Sequence, residues 1–249
     1  MTVSSGFRDH FSARSAHYVR YRPHYPAELF DFLASLTAKH SLAWDCATGS
    51  GQAAIALSAH FEHVVATDAS KAQIDAAVVH SGVTYRVAAA EDSQLDAGSI
   101  DLITVGQALH WFDIERFFAE AERVLVSHGV LAAWCYELCR VSDTCDAVVA
   151  ELYAEIVGEF WPPERRLIET GYAGIAMPGR ALESRDFHMS ASWSVADMLG
   201  YLRTWSACAR YRQEHGDDPV SKIETALRAE WGEGHRPVTW PLTLLVSRQ

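Results

Sequence analysis

An apolar run that ends in an acid, Ala43-Trp44-Asp45-Cys46, leads into Ala47-Thr48-Gly49-Ser50-Gly51 and then an alanine-rich stretch. Glycines at alternate positions let backbone N–H groups approach a ligand closely, and a helix starting behind them presents unpaired donors. A second acid, Asp68, closes the next apolar run, Val64-Val65-Ala66-Thr67, where it can accept hydrogen bonds from a ribose. Together these residues build a nucleotide-binding corner. Its candidate ligand contacts are Asp45, Ala47, Thr48, Gly49, Gly51, Asp68 and Ala69.

The charge on Asp45 separates two cofactors. Gly49-Ser50-Gly51-Gln52-Ala53-Ala54 satisfies the G-x-G-x-x-G/A fingerprint of dinucleotide sites. A pyrophosphate docked on this turn would meet the Asp45 carboxylate, a repulsion that is costly in a partly desolvated site. A ligand with an ammonium at that end would be attracted instead. S-adenosyl-L-methionine (SAM) has the ammonium, a ribose for Asp68 and an adenine for the following loops. The corner therefore predicts SAM, with an NAD-dependent oxidoreductase or a non-catalytic SAM-binding protein as alternatives.

Strands and helices must hold this corner in place. The apolar spacing predicts a helix over Ala27–Lys39, then strands at Leu42–Cys46, His63–Thr67, Val83–Val87, Ile100–Val105 and Val130–Tyr136. Helices are expected between them at Gln52–Ala59, Lys71–Val79 with Ser70 as N-cap, and Asp113–Val126. That alternation implies a doubly wound, mostly parallel α/β sheet. Broken helical material follows over Val141–Gly179, then a strand at Arg185–Ser192, helices at Val195–Ala209 and Pro219–Trp231, and a last strand at Val238–Ser247. The last strand lacks the preceding rhythm and is expected antiparallel at the sheet edge, as the seventh strand. The expected organisation is one domain in four parts: an N-terminal helical lid (1–40), a Rossmann-like core (41–137), a helical cap (138–182) and a completing segment (183–249).

These motifs resemble the class I SAM-dependent methyltransferases of the type 11 methyltransferase domain. Asp45-x-Ala47-x-Gly49-x-Gly51 is similar to the family's acidic glycine motif, with Ala47 in place of its first glycine. Asp68 matches the ribose-binding acid. Ala90-Glu91-Asp92 resembles the loop that lines adenine, with Ala89 where an Asp is frequent. Ser99-Ile100-Asp101-Leu102-Ile103 and Arg123-Val124-Leu125 fit later core motifs. Tyr18-x-x-x-Arg22-Pro23-x-Tyr25-Pro26, Gln107-Ala108-x-His110-Trp111-Phe112-Asp113 and Arg203-Thr204-Trp205-Ser206 look like the subgroup of trans-aconitate methyltransferases.

The resemblance implies methyl transfer to a small-molecule acceptor. Cofactor contacts would come from Tyr18, Arg22, Ala90, Glu91, Asp92, Gln107 and Ala108 beside the corner. Trp111, Trp161, Tyr201 and Trp205 are expected to wall a pocket of low polarity against the acceptor, since a sulfonium disperses its charge in the transition state. A carboxylate acceptor is already ionised and requires no base. For a hydroxyl or amine acceptor, His110 is the expected proton acceptor. Tyr18, Arg22 and Tyr25 are expected to form a lid.

The composition excludes other classes. With 249 residues and a formal charge of −11, the chain is a poor nucleic-acid ligand. No apolar run reaches membrane-spanning length, and the polar start lacks a signal-peptide core, so a cytoplasmic location is expected. The segment from Phe7 to Pro26 is locally basic and suits either solvent or an anionic ligand. Five cysteines without a C-x-x-C pair suggest neither a complete disulfide set nor a metal site.

Overall fold

The computed structural model describes Tyr21 and residues 23–249. After helix α1 (Ala27–Ser35), strand and helix alternate: β1 (Leu42–Cys46), α2 (Gln52–Leu57), β2 (His63–Asp68), α3 (Lys71–Ala76), β3 (Val83–Val87), β4 (Ile100–Gly106), α4 (Ile114–Val124) and β5 (Leu125–Tyr136). The remainder comprises α5 (Asp143–Glu151), α6 (Arg165–Glu169), β6 (Arg180–Ala181), β7 (Phe187–Trp193), α7 (Val195–Arg203), α8 (Ser206–His215), α9 (Glu224–Trp231) and β8 (Arg236–Arg248).

The strands form one sheet in the order β3-β2-β1-β4-β5-β8-β6, with β7 also paired to β8. Strands β1 to β5 are parallel, and β8 is antiparallel to β5, with Tyr136 opposite Leu242. The expected doubly wound, mostly parallel sheet is present. The direction of the final strand is also as expected, but its place is not the edge. β7 pairs along Arg236–Leu242 and β6 at Ser247 and Arg248, on the side of β8 away from β5. An eighth, two-residue strand thus joins the expected seven, and together these strands cover a backbone edge that would otherwise be open for pairing.

Parallel strands are nearly continuous apolar runs because helices cover both sheet faces. Alternation sorts their side chains. Ala43, Val64, Ala66, Leu102 and Trp134 belong to one core, while Trp44, Val65, Ile103, Val105 and Cys135 belong to the other. Asp101 interrupts the apolar pattern of β4 for a structural reason. Its carboxylate accepts hydrogen bonds from Ser41 N–H (2.8 Å) and Leu42 N–H (3.0 Å), fixing the start of β1.

Three local expectations are corrected. Ser70 occupies the N-cap position of α3, but its side chain makes no capping bond. α4 ends at Val124, and the Ser127-His128-Gly129 turn is absorbed into β5 as an irregularity opposite β4. The helix expected over Val195–Ala209 breaks in two. The Thr204 hydroxyl bonds to Tyr201 O at 2.6 Å, and Trp205 turns extended (φ −60°, ψ 139°) so that its indole can bury among Tyr153, Trp161 and Tyr201. Among the described residues no helix is long and apolar enough to cross a membrane. All five cysteines are buried and free.

Candidate active site

The strand order reverses between β1 and β4, and in open α/β sheets ligands bind outside the carboxyl ends at such a switch point. A cavity of about 1510 Å³ opens there. Each of the five parallel strands contributes from its last residues: Asp45, Asp68, Val87, Gly106 and Tyr136. Single-ligand pockets run to about 1,000 Å³, so the space suits a cofactor together with a second molecule.

Asp45 is 1% exposed, at the cavity floor. Thr48 Oγ1–H donates to its Oδ2, and Thr104 Oγ1–H donates to Oδ1 at 2.9 Å. Burial outweighs these bonds and pushes its carboxyl up to about 6, with the charge of Asp68 adding to the rise. An unliganded Asp45 is thus a carboxylate whose charge is poorly compensated, set to favour a cation.

The turn behind it runs through left-handed backbone at Ala47 (φ 56°), Gly49 (φ 57°) and Gly51 (φ 89°). Ala47 is the one of the three with a Cβ, and it holds this conformation while its neighbours stay pinned. Thr48 N–H bonds to Thr67 O at 2.9 Å, and Gly49 N–H bonds to Asp68 Oδ2 at 2.9 Å. Asp68 Oδ1 accepts from Ser70 N–H at 2.8 Å. Ala47, Thr48, Gly49, Asp68 and Ala69 line the cavity, whereas Gly51 lies outside the lining and packs against β3. A Cβ at Gly51 would fall 2.2 Å from the Tyr85 hydroxyl oxygen, so this glycine serves close packing of helix on sheet.

Beyond β3, Ala88, Ala89, Ala90 and Glu91 line the cavity. Glu91 Oε1 accepts Asp113 N–H at 2.9 Å, tying this loop to the start of α4. Asp92 does not line the cavity; it is exposed and bridges back to Ala89. The backbone and apolar faces of the alanines, not the Asp92 side chain, form this wall.

After β4, Gln107 adopts φ 55° and clamps the end of β5: its Nε2–H donates to Tyr136 O (3.2 Å) and its Oε1 accepts Tyr136 N–H (2.7 Å). Gln107, Ala108 and Trp111 reach the cavity. His110 does not. It is 6% exposed and faces away, with Nδ1 3.3 Å from the Tyr172 hydroxyl oxygen. Burial, and then the charge of Arg165, lowers its pKa to about 3, so the ring is neutral. His110, expected as base or substrate contact, is thus placed behind the cavity lining, next to Trp111, which does line it.

The cap aromatics also stand elsewhere. Trp161, Tyr201 and Trp205 do not line the cavity; they cluster with Tyr153, Trp193 and Trp240, with Trp161 and Trp205 centroids 5.5 Å apart. They pack into the hydrophobic core on one face of the sheet. The cavity side of the cap is instead Pro162, Pro163 and Glu164, together with Ser206, Ala209, Arg210 and Gln213 of α8. The latter four were missed, although their spacing of i, i+3, i+4, i+7 is one helix face. Of the expected lid, Tyr25 lines the cavity with its ring against Trp134 (5.2 Å), while Tyr18 and Arg22 lie outside the described residues. Among the described residues no cluster of three His, Cys, Asp or Glu side chains could hold a metal ion.

A doubly wound sheet with an acid, a glycine turn and a second acid around a switch-point cavity is the arrangement of the Rossmann-like class. Residues 44–133 match the family model described as a methyltransferase domain. A Dictyostelium discoideum protein named as a methyltransferase is 36% identical over 228 residues, covering 90% of this chain and 87% of that one. A Saccharomyces cerevisiae protein named as an S-adenosylmethionine-dependent methyltransferase is 30% identical over 174 residues, covering 64% and 60%. The solved structure of a protein from Anaeromyxobacter dehalogenans, named as a type II methyltransferase, superposes with a TM-score of 0.86 at 43% identity, covering 91% of this chain and 97% of that one. The chain belongs to the class I SAM-dependent methyltransferases.

Proposed function

We propose that this protein transfers the SAM methyl group to a small-molecule acceptor, with a carboxylate oxygen as the acceptor atom. The observation that carries the reading is the buried Asp45 carboxylate on the cavity floor beside the left-handed turn. It suits the ammonium of SAM and disfavours the pyrophosphate of a dinucleotide. Both Asp68 oxygens already accept one backbone N–H, which orients the carboxylate toward a ribose diol. Ala88–Ala90 and Val87 offer an apolar slot for adenine.

The bound cofactor would supply an electrophilic methyl on a sulfonium. Residues of this chain hold and enclose it. The Gln107 clamp fixes the loop that carries Trp111, whose ring is a wall for the cationic end. A carboxylate acceptor would take that methyl as the C–S bonding electrons leave on the thioether, so this chain's residues need only hold and align the two reactants. No proton moves, which fits a cavity that His110 does not reach. Most of the rate enhancement would come from alignment in a dry site. The subgroup resemblance of the Tyr18–Pro26 and Gln107–Asp113 motifs supports a small acid as acceptor.

Calorimetry with SAM, followed by transfer of labelled methyl to a panel of small acids, amines and alcohols, tests the reading. The expected result is stoichiometric binding, no uptake of NADH, and a labelled product that releases methanol in mild base. Base-stable label would overturn the carboxylate, and absence of SAM binding would overturn the function.

A further inference from the structure

α8 presents a polar face to the cavity through Ser206, Ala209, Arg210 and Gln213. The glycine corner lines the same cavity, and a cofactor held there by Asp45 and Asp68 would leave this face to the second molecule. α8 is held firmly from behind. Arg203 bonds to Asp218 (2.7 Å) and Glu224 (3.0 Å), Arg212 shares Asp218 (3.1 Å), and Arg212 Nη2–H caps Arg203 O (3.0 Å). Those two arginines are committed to ion pairs. Arg210 is not. Its side chain is partly buried, its polar contact is Nη1–H to Phe160 O at 3.3 Å, and it takes part in none of the ion pairs of the described residues. Glu164 lines the same rim without pairing with it.

A guanidinium with most of its five donors unused, fixed at the wall of a cavity, is a ready partner for a planar anion. We propose that Arg210 is a specificity-determining residue that binds an anionic group of the methyl acceptor, with Ser206 and Gln213 as neutral donors beside it. Arg210 would not serve the reacting oxygen well, because a charge-assisted pair there would hold its lone pair. Its partner is therefore a second acidic group, and the acceptor carries at least two. Glu164 lines the same cavity, and its charge opposes anion binding there. This assignment rests on the methyltransferase reading.

The test uses the full-length protein saturated with S-adenosylhomocysteine, titrated at fixed ionic strength with citrate, succinate, acetate, a sugar phosphate and glycerol. The wild type is expected to bind one or more of the multiply charged probes and neither acetate nor glycerol measurably. Arg210→Gln should weaken that binding at least 10-fold and Arg210→Lys by less, with S-adenosylhomocysteine affinity and Tm unchanged in both. Glu164→Gln should tighten it. A carboxylate preference and a phosphate preference are told apart by which probe binds. The proposal is overturned if Arg210→Gln binds the probes as the wild type does, if it loses the cofactor product and the probe together, or if the wild type binds S-adenosylhomocysteine but no anion. Failure of S-adenosylhomocysteine to bind the wild type would instead sink the methyltransferase reading itself.

Discussion

The Gly49 N–H donates to Asp68 Oδ2 at 2.9 Å, tying the turn after β1 to the acid that ends β2. The turn and the acid therefore form one unit, and a change at either is felt at both. The bond joins two separate strands into one fixed corner.

Asp68→Ala removes the acceptor for Gly49 N–H and Ser70 N–H as well as the expected ribose contact. Hydrogen bonds to charged groups contribute about 1.5–3 kcal/mol, so calorimetry should show SAM affinity falling by roughly 10- to 100-fold. Asp68→Asn keeps an oxygen for one backbone partner and is expected to fall between the two. Equal affinity in Asp68→Ala and wild type would detach this acid from the cofactor.

Burial raises the Asp45 pKa from 3.8 to about 6. Between those values the folded protein holds a proton that the unfolded chain has lost. Stability from this group therefore declines as pH rises through about 4 to 6, and above that window ionised Asp45 costs on the order of 3 kcal/mol. Asp45→Asn should raise the Tm of the ligand-free protein at pH 7.5 and change it little at pH 4. A cation against the carboxylate reverses the preference, so SAM affinity in the wild type should drop below about pH 6, while the weak affinity of Asp45→Asn stays flat. A flat wild-type profile between pH 5 and 7.5 would argue against the contact.

Ala47 sits at φ 56°, where an L-residue with a Cβ is strained by roughly 1 kcal/mol. Ala47→Gly should leave the fold unchanged and raise denaturant stability by up to about 1 kcal/mol, the relief being partly offset by glycine's greater freedom in the unfolded chain. Gly49→Ala puts the opposite change two residues on and should cost about 1–2 kcal/mol. Chemical denaturation of both variants with and without SAM distinguishes strain from a loss of ligand contact.

His110 is neutral and turned toward Tyr172, so its loss should not resemble the loss of a general base. His110→Gln is expected to reduce kcat by far less than the roughly 100-fold that removing such a base costs, with the pH profile of kcat unaltered. Stability should respond instead. The folded pKa near 3 lies below the ordinary 6.5, so the contribution is intact above about pH 6.5 and is lost as pH falls toward 3. In the variant that acid-side loss should shrink. Tyr172→Phe, which removes the hydroxyl partner, should cost about 1 kcal/mol by denaturation at neutral pH.

The corner and the parallel sheet that bears it follow from local sequence alone. Asp45, the turn from Ala47 to Gly51 and Asp68 are legible because each lies at or just after the carboxyl end of a strand, and β-strand period and glycine conformation are short-range properties. The apolar runs of β1, β2 and β4 were legible for the same reason, since burial on both faces leaves no alternation to misread. Which side chains face the cavity away from that corner depends on long-range packing. His110 and Trp111 are adjacent in sequence, yet one turns to Tyr172 and the other to the cavity, because a short helical turn sends neighbours to different sides. Trp161 and Trp205 pack into the hydrophobic core on one face of the sheet, since burying their ring area outweighs exposing them to a ligand. Their burial accompanies the break in the expected helix, and it is Ser206, Ala209, Arg210 and Gln213 of α8, not Trp161 and Trp205, that line the cavity. The place of β8 was likewise a matter of long-range pairing: its direction follows from its position in the chain, whereas the strands covering its other edge are chosen only when the sheet assembles.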